Sequence, residues 1–213
     1  MHKKTLFTPI YWLSKFNLSI FKRRFPEAPW LTQAAVYLLH SWLKESDTGL
    51  EWGSGRSTTW FASRIRYIIS IEYNEYWFGK VSSRIRELNL SSKTDLRYIP
   101  IRKEIPDDLQ PYVMFINTIP EASLDFALID GHLRFQCMQL VISKIKPGGL
   151  LILDDAQRFV PNAIMDNHST SINKCDIFPD SEWKTLIGSL DSWRSIHTSD
   201  GVTDTRFWVK PFE

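Results

Sequence analysis

The sequence predicts an α/β fold: a mostly parallel, seven-stranded sheet with helices on both faces and an antiparallel hairpin at its C-terminal end. Three observations predict it. Short apolar runs alternate with helical stretches through most of the 213 residues, the pattern of parallel strands joined by helical crossovers and buried on both faces. Residues 48–74 (TGLEWGSGRSTTWFASRIRYIISIEYN) read as strand, tight loop, helix and second strand. Near the end, residues 192–197 and 205–209 read as two strands that reverse at Asp200-Gly201, a dipeptide suited to a hairpin turn. The length suits one domain with a full core. The expected division is an N-terminal basic and apolar segment, residues 1–30, followed by one domain over residues 31–213.

Taken in order, the opening stretch LFTPIYWLSKFNLSIFKRRFP places Leu6, Ile10, Leu13, Phe16 and Ile20 at roughly helical spacing. Pro9 and Lys15 interrupt it and no small-residue cleavage site follows, so it does not read as a secretory signal. Two expectations stand for it: a helix lying on a membrane surface, or a helix packed on the domain or closing over a cleft as a lid. Residues 31–43 form a helix with a broad apolar face, in which His40 is an ordinary helix residue. The first strand ends at Glu51-Trp52, a helix begins near Arg56-Ser57, and the second strand runs from Tyr67 to Ile71 and ends on Glu72. A helix over 74–88 follows, capped by Asn74 and ended by Asn89. Residues 95–101 alternate like a strand whose far end is kept out of a regular ladder by Pro100. Residues 102–110 are turn-like and 111–118 a short helix. A strand over 124–130, a helix over 134–144, a break at Pro147-Gly148-Gly149 and a strand over 150–153 ending in Asp154-Asp155 complete the alternation. Residues 156–180 lack a clean period and read as a substrate loop beside the active edge.

Charge is unevenly distributed. Residues 1–24 hold Lys3, Lys4, Lys15, Lys22, Arg23 and Arg24 and no acid, which leaves twenty basic against twenty-four acidic residues in the remainder. A body of that sign lacks the basic footprint of a general nucleic-acid binder. Cys137 and Cys175 are too few for a disulfide framework or a metal knuckle and read as free thiols in a reducing, cytoplasmic compartment. No run of eighteen apolar residues is present, so no segment is expected to span a membrane. The nine tryptophans and thirteen phenylalanines read mainly as core and helix cover.

In a parallel sheet, ligands sit at the carboxyl ends of the strands, and Glu51, Glu72, Asp130 and Asp154 all stand there. A loop that joins a strand to a helix within three residues needs glycine, for positive φ or for close backbone approach to a ligand. Gly53 and Gly55 supply it. Glu72 follows the first glycine by about 20 residues, the separation at which a carboxylate accepts from ribose hydroxyls, so the ligand is expected to carry adenosine. Thr58 stands where the dinucleotide fingerprint needs a third glycine, and Glu51 puts a carboxylate at the loop entrance, poorly suited to a pyrophosphate and well suited to a cation.

The stretch Glu51-Trp52-Gly53-Ser54-Gly55-Arg56-Ser57, with Glu72 as the acid of the second strand, resembles motif I of the Rossmann-like class I S-adenosylmethionine-dependent methyltransferases. The resemblance covers residue 31 to the end, since these enzymes also close with an antiparallel hairpin. It implies that residues 51–57, Glu72, Tyr73 and Asp130 contact S-adenosylmethionine, with Glu72 on the ribose and residues 53–57 around the methionine part, and that Tyr98–Ile101 flank the adenine. The later stretch IDGHLRF…KPGGLLILDDAQRF resembles the macrocin-type sugar and catechol O-methyltransferases, in which acids at the ends of strands four and five hold magnesium. That resemblance implies Asp130, Asp154 and Asp155 as ligands of Mg2+, which favours a few carboxylates with waters and substrate oxygens. His132 could then take the acceptor's proton, histidine being a side chain suited to proton transfer near neutral pH, although the family usually places an acid there. Arg134 reads either as an anchor for an acidic substrate group or as an ion-pair partner. The expected activity is O-methylation of a small molecule, a sugar or polyol-like hydroxyl. A nicotinamide-dependent oxidoreductase and a non-catalytic adenosyl-binding interaction module are the alternatives.

Overall fold

The computed structural model describes residues 9–161 and 177–212. Its strands are β1 (Thr48–Trp52), β2 (Tyr67–Glu72), β3 (Thr94–Tyr98), β4 (Leu124–Ile129), β5 (Ile145–Asp154), β6 (Arg194–Ser199) and β7 (Asp204–Val209). They form one sheet in the order β3-β2-β1-β4-β5-β7-β6. The first five strands of that row are parallel, and β7 enters antiparallel to both β5 and β6. The order reverses between β1 and β4, the switch point where the crossovers leave in opposite directions and open a crevice.

Both faces of the sheet are covered, as the sequence predicts. Along β4, Phe126 and Leu128 join a core with helices α2 (Gln33–Trp42) and α3 (Arg56–Ala62), while Ala127 and Ile129 join a second core with α5 (Pro111–Met114), α6 (Arg134–Val141) and α7 (Ser181–Gly188). β5 alternates in the same way, Leu150 and Ile152 against Leu151 and Leu153. This two-sided burial is why the strands read as continuous apolar runs. Helix α4 (Glu75–Glu87) begins as expected at Asn74, whose side chain accepts from the Trp77 N–H at 3.1 Å. Helix α1 (Pro9–Arg24) rests on the body through Phe21, which belongs to the α2 and α3 core and meets the Tyr37 ring edge-on. Leu6 lies outside the described residues, as do Cys175 and most of the expected substrate loop.

One element differs from expectation. The helix ends before residues 147–149 as expected, but the strand expected over 150–153 already begins at Ile145, so these residues lie within β5, and the pairing with β4 shifts register between Leu124 and Phe126. Gly148 has φ +77°, and a Cβ on Gly149 would stand 2.8 Å from the Asp125 carbonyl oxygen. The glycines thus let a bulged strand continue where side chains would end it.

Candidate functional site

Three loops meet at the switch point, and their residues 53–57, 72–74 and 130–132 line a cavity of about 450 Å³. Close contact between two glycines brings them together. Gly53 has φ +94°, and a Cβ on it would lie 2.8 Å from the Gly131 nitrogen. A Cβ on Gly131 would fall 2.0 Å from the Tyr112 hydroxyl and 3.0 Å from the Gly53 nitrogen. The β1 and β4 loops can touch only because neither residue carries a side chain. Around Gly55 the nearest atom to such a Cβ is Ser57 Oγ at 4.0 Å, so this part of the loop backbone is open to a ligand.

Glu72 joins the first loop to the second. Its Oε2 accepts from the Ser54 N–H at 2.9 Å and the Ser54 hydroxyl at 2.8 Å, and its Oε1 accepts from the Asn74 N–H at 2.7 Å. A carboxylate offers about four lone-pair sites, so these bonds hold it in place on the cavity wall and leave acceptor capacity for a ligand hydroxyl. Tyr73 lines the same wall, with its ring 5.5 Å from that of His132.

Glu51 and Trp52 are placed differently. Both are fully buried and absent from the wall. Trp52 donates its indole N–H to the Tyr112 carbonyl at 2.9 Å, so it is a core residue. Glu51 Oε1 accepts from the hydroxyls of Thr58 and Ser70, while Oε2 has no hydrogen-bond partner among the described residues. Burial pushes the Glu51 carboxyl up to about 7, against the opposing pull of those hydroxyls. Thr58 also accepts from the Gly55 N–H at 3.0 Å. The position where a dinucleotide loop has its third glycine is here a hydroxyl that ties the loop to β1.

The second acid cluster contains a cation from the chain itself. Arg134 sits among Asp130, Asp154 and Asp155: one guanidinium nitrogen is 2.9 Å from both the Asp130 carbonyl and its Oδ1, and 3.9 Å from Asp155 Oδ2. Asp154 accepts from the Thr205 hydroxyl at 2.7 Å, and Asp155 holds a left-handed backbone at φ 53° with its carboxylate 3.6 Å from Arg158. Among the described residues no three carboxylate, imidazole or thiol side chains converge on a point that could hold a metal. The positive charge found beside Asp130 and Asp155 is that of a guanidinium. Burial pushes Asp154 well above the usual carboxylate range, and pushes Asp130 up to about 6 against the pull of Arg134. Arg134 is thus an ion-pair partner rather than a free anchor.

The wall also contains residues that the motifs do not indicate: Trp30, Asn74, Trp77, Lys80 and Gly131. Trp30 meets Trp77 edge-on at 6.1 Å, and the Arg56 guanidinium lies 5.3 Å from the Trp30 ring centre. Asn74 is legible as a helix cap and Gly131 as the neighbour of Asp130; Trp30, twenty-three residues before the glycine loop, has no local signal. Tyr98 is not on the wall and instead meets Phe78 at 5.6 Å, while Ile99 and Ile101 pack against the core.

No protein-family model matches the sequence, and no curated protein matches it. Solved structures do. A protein from Streptococcus mutans, assigned as a methyltransferase and solved in complex with S-adenosylhomocysteine, aligns with a TM-score of 0.58 at 9% identity over 84% of this chain and 96% of its own. One from Staphylococcus aureus, assigned as a caffeoyl-CoA O-methyltransferase, gives 0.57 at 15% identity over 96% and 93%. An rRNA methylase from Streptococcus thermophilus gives 0.54 at 12% identity over 83% and 93%. The chain shares the fold of these proteins. At these identities the likeness is one of fold, and the chemistry must be argued from the site.

Proposed function

We propose that the protein is an S-adenosylmethionine-dependent methyltransferase that acts on a hydroxyl of a small molecule. The observation that carries this reading is Glu72, held by Ser54 and Asn74 on the wall of the switch-point cavity, beside an open glycine loop and with no phosphate-binding third glycine. Residues 53–57 would hold the methionine part, Glu72 the ribose, and Tyr73 and Trp77 the flat faces of the ligand. Glu51 and Trp52 support the loop from behind. The cofactor supplies a methyl group on a cationic sulfur, and the chain's own task is to position and deprotonate the acceptor.

Of the two residues expected to do so, Asp130 is engaged by Arg134, whereas no described residue hydrogen-bonds the His132 ring, which is exposed on the cavity wall. His132 is therefore the base in this reading, and Asp130 orders the loop that carries it. No step runs through a metal. The nicotinamide alternative is not favoured, since Thr58 fills the position that a dinucleotide loop leaves bare.

Calorimetric titration with S-adenosylhomocysteine, with NAD as control, tests the cofactor class. Binding of the first and not the second is expected; binding of NAD alone would overturn the reading. His132→Ala is expected to lower turnover on a hydroxyl acceptor while leaving S-adenosylhomocysteine affinity within about threefold, general bases being worth roughly a hundredfold or more in rate. Unchanged turnover would remove His132 from the mechanism.

A further inference from the structure

Helix α1 is apolar on two opposite sides. Tyr11 and Phe21 are buried at 2% and 5% exposure, and Ser14 and Leu18 on the same side are half-buried. Trp12, Leu13, Phe16 and Ile20 point the other way and are 56%, 61%, 63% and 48% exposed. Residues spaced i, i+1, i+4 and i+8 share one helical face, so these four make a continuous outward stripe. Phe21, which anchors the helix to the body, is not part of the stripe.

The charges that α1 itself carries are of one sign. Lys15 and Lys22 flank one edge and Arg24 the other, Arg23 lies at its C-terminal end, and residues 1–24 contain no acid. We infer that this outward face of α1 seats the protein on an anionic phospholipid surface. Apolar side chains that include a tryptophan enter the acyl boundary in such helices, and lysine and arginine stems reach back to the headgroups. A second copy of the chain is the poorer occupant, because apposing two such faces would bring basic edge against basic edge with no carboxylate to separate them. The seat adjoins the cavity: Lys22 Nζ lies 5.5 Å from the ring centre of Trp30, which lines it. The inference rests on α1 alone and stands whether or not the methyltransferase reading does.

Co-sedimentation of the full chain with vesicles tests it, using phosphatidylcholine alone against phosphatidylcholine mixed with phosphatidylglycerol. Recovery with the anionic vesicles is expected to exceed that with neutral ones and to fall as salt is raised. The double variant Phe16→Ser/Ile20→Ser, whose side chains face outward, should lose about tenfold in partitioning with an unchanged far-ultraviolet circular dichroism spectrum and melting temperature. Lys15→Gln/Arg23→Gln should weaken only the binding to anionic vesicles. Equal recovery of wild type and the Phe16/Ile20 variant would overturn the proposal, as would equal recovery on the two vesicle types. Absence of vesicle binding would also overturn it; if a concentration-dependent dimer were then seen that the Phe16/Ile20 variant abolishes, the face would be a self-interface instead.

Discussion

Two clusters of carboxylates stand at the strand ends of this protein, and they are held by different means. Around β1 and β2, Glu51 and Glu72 are held by hydroxyls and backbone N–H groups. Around β4 and β5, Asp130 and Asp155 pair with one guanidinium, that of Arg134, while Asp154 accepts from the Thr205 hydroxyl. Neutral donors fix a carboxylate without cancelling its charge, so Glu72 can still meet a ligand. A cation pairs directly with Asp130, so in the proposed reading this second cluster orients the loop bearing His132. Resemblance at the level of motifs treats the two clusters as cofactor site and metal site; their partners separate a site from a support.

The sharpest way to break this comparison is Arg134→Met. It removes the charged hydrogen-bond partner of the partly buried Asp130 and should destabilise the fold by about 1.5–3 kcal/mol, with Arg134→Lys recovering part of the loss; urea denaturation measures both. A loss below about 1 kcal/mol would mean that the cluster does not depend on Arg134.

Gly131→Ala tests the contact that joins the two clusters. The added methyl meets the Tyr112 hydroxyl, and overpacking of this kind costs about 1–3 kcal/mol. That hydroxyl is buried and has no partner among the described residues, so Tyr112→Phe should restore much of the loss in the double variant. Thermal melts of the four proteins in that cycle give the coupling, and additive effects would refute the contact.

At the first cluster, Glu72→Ala should weaken S-adenosylhomocysteine binding about tenfold or more, the worth of a hydrogen bond to a charged group. Unchanged calorimetric affinity would take Glu72 off the ribose. Glu51 gives a pH signature. Its folded value of about 7 lies above the ordinary 4.5, so the folded state binds the proton more tightly than the unfolded chain. The associated stability is fully present below pH 4.5 and is lost as pH rises to about 7. Glu51→Gln should flatten that slope, at most about 1.4 kcal/mol per pH unit, as read from denaturation curves across the window. The smallest expected effect is that of a chelator: EDTA or added magnesium should leave S-adenosylhomocysteine affinity unchanged, and a magnesium-dependent heat would reopen the second cluster as a metal site.

Much of the site was legible because it is local. Gly53 and Gly55 lie between an apolar strand and a helix, and Glu72 closes the following strand, so adjacent residues carry the whole signal. The acids 130, 154 and 155 were equally visible, but their role was not. Whether they surround a metal or a guanidinium depends on where the side chain of Arg134 points at the start of α6, and the same letters allow either. Pro147-Gly148-Gly149 follows the end of the helix but does not mark the start of β5, because glycine and proline also mark the bulges at which a paired strand can continue.

The sequence by itself determined the α/β alternation, the parallel core, the closing hairpin, the glycine loop with its acid, and the one-signed charge of residues 1–24. Each of these is written in periodicity or in neighbours along the chain. The tertiary structure alone decided that Gly53 meets Gly131, that Glu51 and Trp52 stand behind the cavity, that Trp30 and Lys80 line it, that Arg134 occupies the aspartate cluster, and which face of α1 remains outward. Those outcomes depend on which strand ends the order β3-β2-β1-β4-β5 makes neighbours. Contacts between residues far apart in sequence carry no period for a reader of the chain to find.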